Sequence, residues 1–273
     1  MIARFLMIVG FIVSVAVAGT AQDESQVAAR AEINAGVQAF RQAHYVEAID
    51  HFNLAVSEDP QLTVARMYLA TAYLQMFVPG VDTPENVVWA TKALDQYSEI
   101  LQTNPSDINS IKGIAYLRFQ LNNFDEAKES YAKAIALDPN DPELLYAAAV
   151  VNWSIANREI TSEKAKLDAE SEYSLILSEE CEEARSQSLP GIDSGIAFLN
   201  KALTIREAYV DAMTYMNQLY RLRADLECGN KKAYKADLKQ SDEWSDRAAA
   251  ARKKKTEATS KDDQEKAPDK PRL

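Results

Sequence analysis

The stretch FDEAKESYAKAIALDP, Phe124–Pro139, decides the reading of this chain. Ala127, Tyr131 and Ala134 follow one another at steps of four and three, so they share one face of a helix, and Asp138-Pro139 stops that helix. One interval of 34 residues earlier, Ala93, Tyr97, Ile100 and Pro105 occupy the same places. Ala48, Phe52, Ala55 and Pro60 repeat them again, displaced by 45, which is one interval plus an 11-residue insertion. Gly195, Leu199 and Ala202 stand 68 residues after Ala127, Tyr131 and Ala134. Four related units are therefore visible, and a fixed interval of this size is the mark of a stacked repeat.

The spacing has a physical meaning. Two helices that cross closely need a side chain no larger than Ala at the contact, an aromatic ring to fill the next gap, and a stop. Asp59-Pro60, Asn104-Pro105 and Asp138-Pro139 provide the stops, while Gly36, Ala70, Ala115 and Ala149 supply the small residues on the first helix of each pair. With the openings YVEA (Tyr45–Ala48) and FDEA (Phe124–Ala127), these residues resemble tetratricopeptide repeats over roughly 29–226. The resemblance implies an all-α fold, a right-handed superhelical solenoid of antiparallel helix pairs. It tilts the source of an exported chain towards bacteria.

The predicted organisation is a signal peptide over 1–21, a repeat domain over 22–253 and a disordered charged tail over 254–273. Units are expected at about 29–62, 63–107, 108–141 and 142–209, with a partial unit and cap over 210–253. Arg4, the apolar run Phe5–Val17 and the small residues Ala16, Ala18, Gly19 and Ala21 carry the export signal, with cleavage after Ala18 or Ala21. Two insertions interrupt the repeats. Phe77–Asp82 is expected to form a loop leading to a helix capped by Thr83, with Pro84 in its first turn. For the larger insertion, 158–190, helices near 161–171 and 178–188 are expected, the second ended by Pro190-Gly191. The fourth unit ends at Arg206-Glu207, where the pattern calls for proline. A further first helix is expected at about 208–226. After it, Tyr234, Leu238, Ser241, Trp244 and Ala248 mark one stripe of a capping helix.

Composition agrees with helix: 8 Gly and 9 Pro in 273 residues leave few breakers. The net charge of −11 repels phosphate backbones, so nucleic acid is not an expected partner. No membrane span is expected in the mature chain, which is read as periplasmic or secreted. Cys181 and Cys228, the only cysteines, are expected to form a disulfide after export.

The chain shows no nucleophile, phosphate-cradle or dinucleotide motif, so no enzyme activity, cofactor or metal is expected. His44 and His51 are read as solvated surface residues, and Glu179, Glu180, Glu182 and Glu183 as a solvated helical stretch. The resemblance implies that the first helices line a concave groove. On that stripe fall Ile33, Val37 and Phe40; Met67, Thr71 and Leu74; Lys112, Tyr116 and Phe119; Tyr146, Val150 and Trp153; then Thr214, Gln218 and Arg221. The groove is apolar and aromatic, and suits a partner protein segment anchored on Phe40, Tyr116, Phe119, Tyr146 and Trp153. Two other readings stay open: packing within the repeat core, and cover by residues 158–190, which would suit a permanent subunit of an envelope or secretion assembly.

Overall fold

The structure is a computed structural model that describes residues 13–167 and 175–265. Among them are helices α1 (Val13–Arg41), α2 (Tyr45–Glu58), α3 (Thr63–Met76), α4 (Pro84–Thr103), α5 (Ile108–Gln120), α6 (Phe124–Leu137), α7 (Pro142–Lys166), α8 (Cys181–Ile205), α9 (Val210–Ala224) and α10 (Lys231–Glu265). The described residues contain no strand. Two compact units divide the chain, Met1–Leu121 with α1–α5 and Asn122–Leu273 with α6–α10.

The repeated residues sit where the spacing places them. Ala48, Ala93 and Ala127 are fully buried, as are Phe52, Ala55 and Ala134, and Tyr97, Ile100 and Tyr131 are nearly so. In the first unit, α2 lays the ring of Phe52 directly over Gly36 of α1. A Cβ at Gly36 would lie 2.5 Å from Phe52 Cε1, so no other residue allows this approach without displacing the ring. Gly113 on α5 receives Tyr97 of α4 in the same way, at 2.4 Å.

The helix stops share one conformation. Asp59, Asn104 and Asp138 each follow their helix with φ between −134° and −132° and ψ between 84° and 88°, the extended backbone that a following proline enforces. Each side chain also accepts the backbone N–H two residues on, at 3.1, 3.4 and 3.2 Å. Arg206 adopts the same φ and ψ with no proline after it. Here the side chains fix the stop: Arg206 pairs with Glu143 at 2.5 Å, and the Tyr209 hydroxyl donates to the other Glu143 oxygen.

In the first insertion, Thr83 caps α4 by accepting from Asn86 N at 3.3 Å, and Pro84 opens the helix. The buried Asn86 then shapes the loop. Its amide accepts from Val78 N at 2.7 Å and donates to the carbonyls of Val78 and Val81 at 2.8 and 2.7 Å.

The second insertion departs from expectation. Residues 161–166 of the expected helix belong to α7, which runs unbroken to Lys166 because Ala156 and Ile160 continue its buried stripe and Lys164 pairs with Asp225 at 2.6 Å; residues 168–171 lie outside the described residues. Pro190-Gly191 does not end a helix. Cys181, Ala184, Ser188, Ile192, Ile196, Leu199 and Leu203 form one buried stripe along α8, and its continuous packing outweighs the hydrogen bond lost at Pro190. Leu175 and Ile176 turn into the core of the second unit, and Gly229 N donates to Ile176 O at 2.7 Å. Cys181 and Cys228 are joined, tying the start of α8 to the turn after α9.

At the carboxyl-terminal end, α10 packs on α9 through Tyr234, Leu238, Ser241, Trp244 and Ala248. Asn217 donates to Ser241 O and Oγ at 2.9 and 2.8 Å, and Arg223 grips the buried Asp237 through two nitrogens. The tail expected to be disordered from 254 is helical to Glu265. Lys231–Glu265 contains no Gly or Pro and is rich in Lys and Ala, and Lys253 meets Glu257 one turn on. The rest of that tail, 266–273, lies outside the described residues, as do residues 1–12 of the expected signal.

Two consequences are measurable by thermal or urea unfolding. Gly36→Ala overpacks the contact with Phe52 at about 1–3 kcal/mol, more than the ~1 kcal/mol that alanine adds to a helix, so stability falls. Gly191→Ala, with nothing within 4 Å of the added Cβ in α8, raises it. An increase for Gly36→Ala would contradict the close contact. Replacing Cys181 and Cys228 by Ala opens a loop whose closure contributes about 4 kcal/mol by chain entropy; a change below ~1 kcal/mol would contradict that role.

Candidate functional site

In the first unit the stripe is carried by α1, α3 and α5. Ile33 belongs to the core, which corrects its expected place on a surface: it packs with Ala55 and Ala65 and is 8% exposed. Val37, Met67 and Leu74 are half-buried against the core, and Phe40 meets the edge of Tyr45 at 5.3 Å. Thr71 donates to Met67 O at 2.8 Å, which turns its hydroxyl back on its own helix. On α5, Lys112 and Phe119 are half-buried and Tyr116 is 37% exposed. Tyr116 therefore offers the most open ring of this stripe.

In the second unit the stripe is carried by α7 and α9, and its rings cluster. Trp153 meets Tyr215 at 5.3 Å and Tyr146 meets Tyr215 at 5.6 Å, both edge to face. Tyr146 also lies 5.2 Å from Tyr209. Such arrangements place the positive ring edge against a negative face and fix the rings relative to one another. Val150, 8% exposed between Tyr146 and Trp153 on α7, is corrected to a packing residue. Thr214 is engaged rather than open: it donates to Val210 O at 3.0 Å and accepts from Arg252 of α10 at 2.9 Å.

Burial and nearby carboxylates raise these phenols above their ordinary range. Burial pushes Tyr146 up to about 12, with further contributions from Tyr215, Asp211 and Glu143. Tyr209 is raised further, by burial first and then by its bond to Glu143, and Tyr215 is raised by burial and Asp211. Glu143 is held below the usual carboxylate range, chiefly because the Tyr209 hydroxyl donates to it and Arg206 adds charge. The cluster thus presents neutral aromatic surface with hydroxyl groups that remain donors at physiological pH.

Tyr209, Tyr215, Glu143 and Arg206 were absent from the sequence-derived stripe. Tyr215 is displaced by one residue from Thr214, and its role arises from packing across α7 and α9. The Glu143–Arg206–Tyr209 arrangement had one signal, the missing proline after Arg206. The histidines are paired: His44 lies 3.4 Å from Glu47, and His51 Nδ1 lies 2.7 Å from Glu32 on α1, which corrects its reading as merely solvated. Glu182 and Glu183 occupy the first turn of α8, where acidic side chains complement the helix dipole. Among the described residues no group of three or more His, Cys, Asp or Glu could hold a metal ion.

Comparison with known proteins gives one family match, to the TPR repeat over residues 115–155. No curated protein matches the chain. Among solved structures, the crystal structure of MamA superposes with a TM-score of 0.58 at 12% identity, over 84% of this chain and 94% of MamA. MamA 41-end from Desulfovibrio magneticus RS-1 gives 0.57 at 11% identity, over 83% and 96%. YrrB, a TPR protein described as having an unusual peptide-binding site, gives 0.53 at 13% identity, over 86% and 97%. At these identities the likeness is one of fold. One tetratricopeptide repeat is matched at 115–155, and the helix pairs closed by the same stop at Asp59, Asn104, Asp138 and Arg206 have a fold similar to that of tetratricopeptide-repeat proteins.

Proposed function

We propose that the protein is a non-enzymatic docking module that holds a segment of a partner protein on the faces made by its first helices. The observation that carries this reading is the cluster of Tyr146, Trp153 and Tyr215, half-buried and fixed edge to face on α7 and α9. Rigid aromatic surface gives contact area at small entropic cost, and binding energy concentrates on such anchors. In the first unit, Phe40, Tyr116 and Phe119 are the matching anchors, with Met67, Leu74 and Lys112 around them. The peptide-binding site named for YrrB, a protein of the same fold, is in keeping with this use.

Transient docking is favoured over a permanent assembly role by the course of the large insertion. Its described residues Ile160, Leu175 and Ile176 are buried in the core of the second unit, and among the described residues Tyr209 and Tyr215 meet the rings of Tyr146 and Trp153. The protein acts in the periplasm or outside the cell. The Cys181–Cys228 bond supports an oxidising compartment, and no described helix is long and apolar enough to cross a membrane.

The test is capture from the envelope and secreted fractions, followed by affinity measurement with the partner segment so identified. Trp153→Ser and Phe119→Ser, made singly, are expected to weaken binding by about 2 kcal/mol, roughly thirty-fold, with unchanged helical circular dichroism. Affinity unaffected by both substitutions would contradict the proposed faces.

A further inference from the structure

The aromatic cluster of the second unit is a corner rather than a flat plate. Tyr146 and Trp153, on one face of α7, stand at 78° and 82° to the ring of Tyr215 on α9, with centroids 5.6 and 5.3 Å away. All three side chains are half-buried, so the corner is partly open to solvent. Rings meeting at right angles offer a cation more than one electron-rich face.

The neighbouring rings show what this surface attracts. Arg206 lies 4.5 Å over Tyr209, and Arg223 lies 4.6 Å over Tyr220, before and after Tyr215 in the sequence. Among the described residues no Lys or Arg lies over the three rings of the corner itself. The arginines around it are committed: Arg206 to Glu143, Arg223 to Asp237, and Arg252 to Thr214. A carboxylate, by contrast, is available. Asp211 is exposed one turn before Tyr215 on α9, and it raises the pKa of both Tyr146 and Tyr215, which places its charge beside both rings. Among the described residues Asp211 has no ion-pair partner.

We infer that the corner of Tyr146, Trp153 and Tyr215 takes an arginine side chain of the docked segment, with Asp211 as its counter-charge, so that the partner is a basic protein segment. The inference rests on the docking role proposed above for the same rings and adds the chemistry of the occupant. Arginine fits better than lysine, because a planar guanidinium stacks on one ring while its remaining N–H groups reach a carboxylate. The net charge of −11 favours the same sign of partner and speeds its approach.

Two fluorescein-labelled synthetic peptides test this, titrated into the full chain and followed by anisotropy. One alternates Leu and Arg; its twin carries citrulline, the neutral urea of similar shape, in place of every Arg. The Arg peptide is expected to bind about ten-fold more tightly than the twin. Asp211→Asn, at an exposed position and checked for an unchanged melting curve, is expected to weaken the Arg peptide about three- to five-fold and to leave the twin unchanged. Asp246→Asn, which removes the same charge from an exposed position on α10, is expected to change neither. The inference is overturned if neither peptide binds, if the twin binds as well as the Arg peptide, or if Asp211→Asn has no effect. An equal loss from Asp246→Asn also overturns it, because overall charge alone would then account for the attraction. Trp153→Ser keeps the two readings apart. If it weakens both peptides while they bind equally well, docking on the rings stands and the basic occupant falls; if it weakens neither, the rings are not the docking face and both readings fall.

Discussion

Everything in this fold depends on how closely neighbouring helices approach, within a pair for α1 and α2 and between successive pairs for α4 and α5. Phe52 and Tyr97 can lie flat on α1 and α5 only because Gly36 and Gly113 present no Cβ. That contact sets the separation of the helices, and the separation decides which residues of the first helix are enclosed and which are left at its outer face. Ala48, Ala93 and Ala127 continue the same economy of volume on the second helices, each without measurable exposure. Large side chains at these points would push the pair apart and open the core.

The stops have a comparable influence on the second unit. Three of them use an Asx residue followed by proline, a purely local device. The fourth, Arg206, reaches the same backbone through Glu143 and Tyr209, which lie on and beside the elements that carry the aromatic cluster. A structural necessity thereby becomes part of the surface. The ion pair and hydroxyl bond that close the repeat also orient Tyr209 against Tyr146, and so help to fix the rings on which a partner is proposed to dock.

The repeat was legible in the sequence because its signal is local: a small residue, an aromatic and a stop at set distances. The Thr83 cap and the stripe of the capping helix were legible for the same reason. The insertion misled because Pro190-Gly191 is a strong local breaker, whereas the stripe from Cys181 to Leu203 that overrides it is a property of tertiary packing. The extent of α10 was missed in the opposite sense, since a polar composition was read as disorder where helix-favouring residues extend an already anchored helix. Of the candidate site, the family resemblance named Tyr146, Trp153 and Tyr116. It could not separate buried Ile33 and Val150 from their exposed neighbours, nor find Tyr215, whose contribution exists only once α7 and α9 are side by side.

The closest test of the central contact is a double-mutant cycle between Gly36 and Phe52, read by urea unfolding. If the ring is what excludes a Cβ at Gly36, Gly36→Ala becomes neutral or stabilising in a Phe52→Leu background, giving a coupling of about 1 kcal/mol or more. Strict additivity of the two substitutions would contradict the account, because it would mean that ring and glycine do not touch.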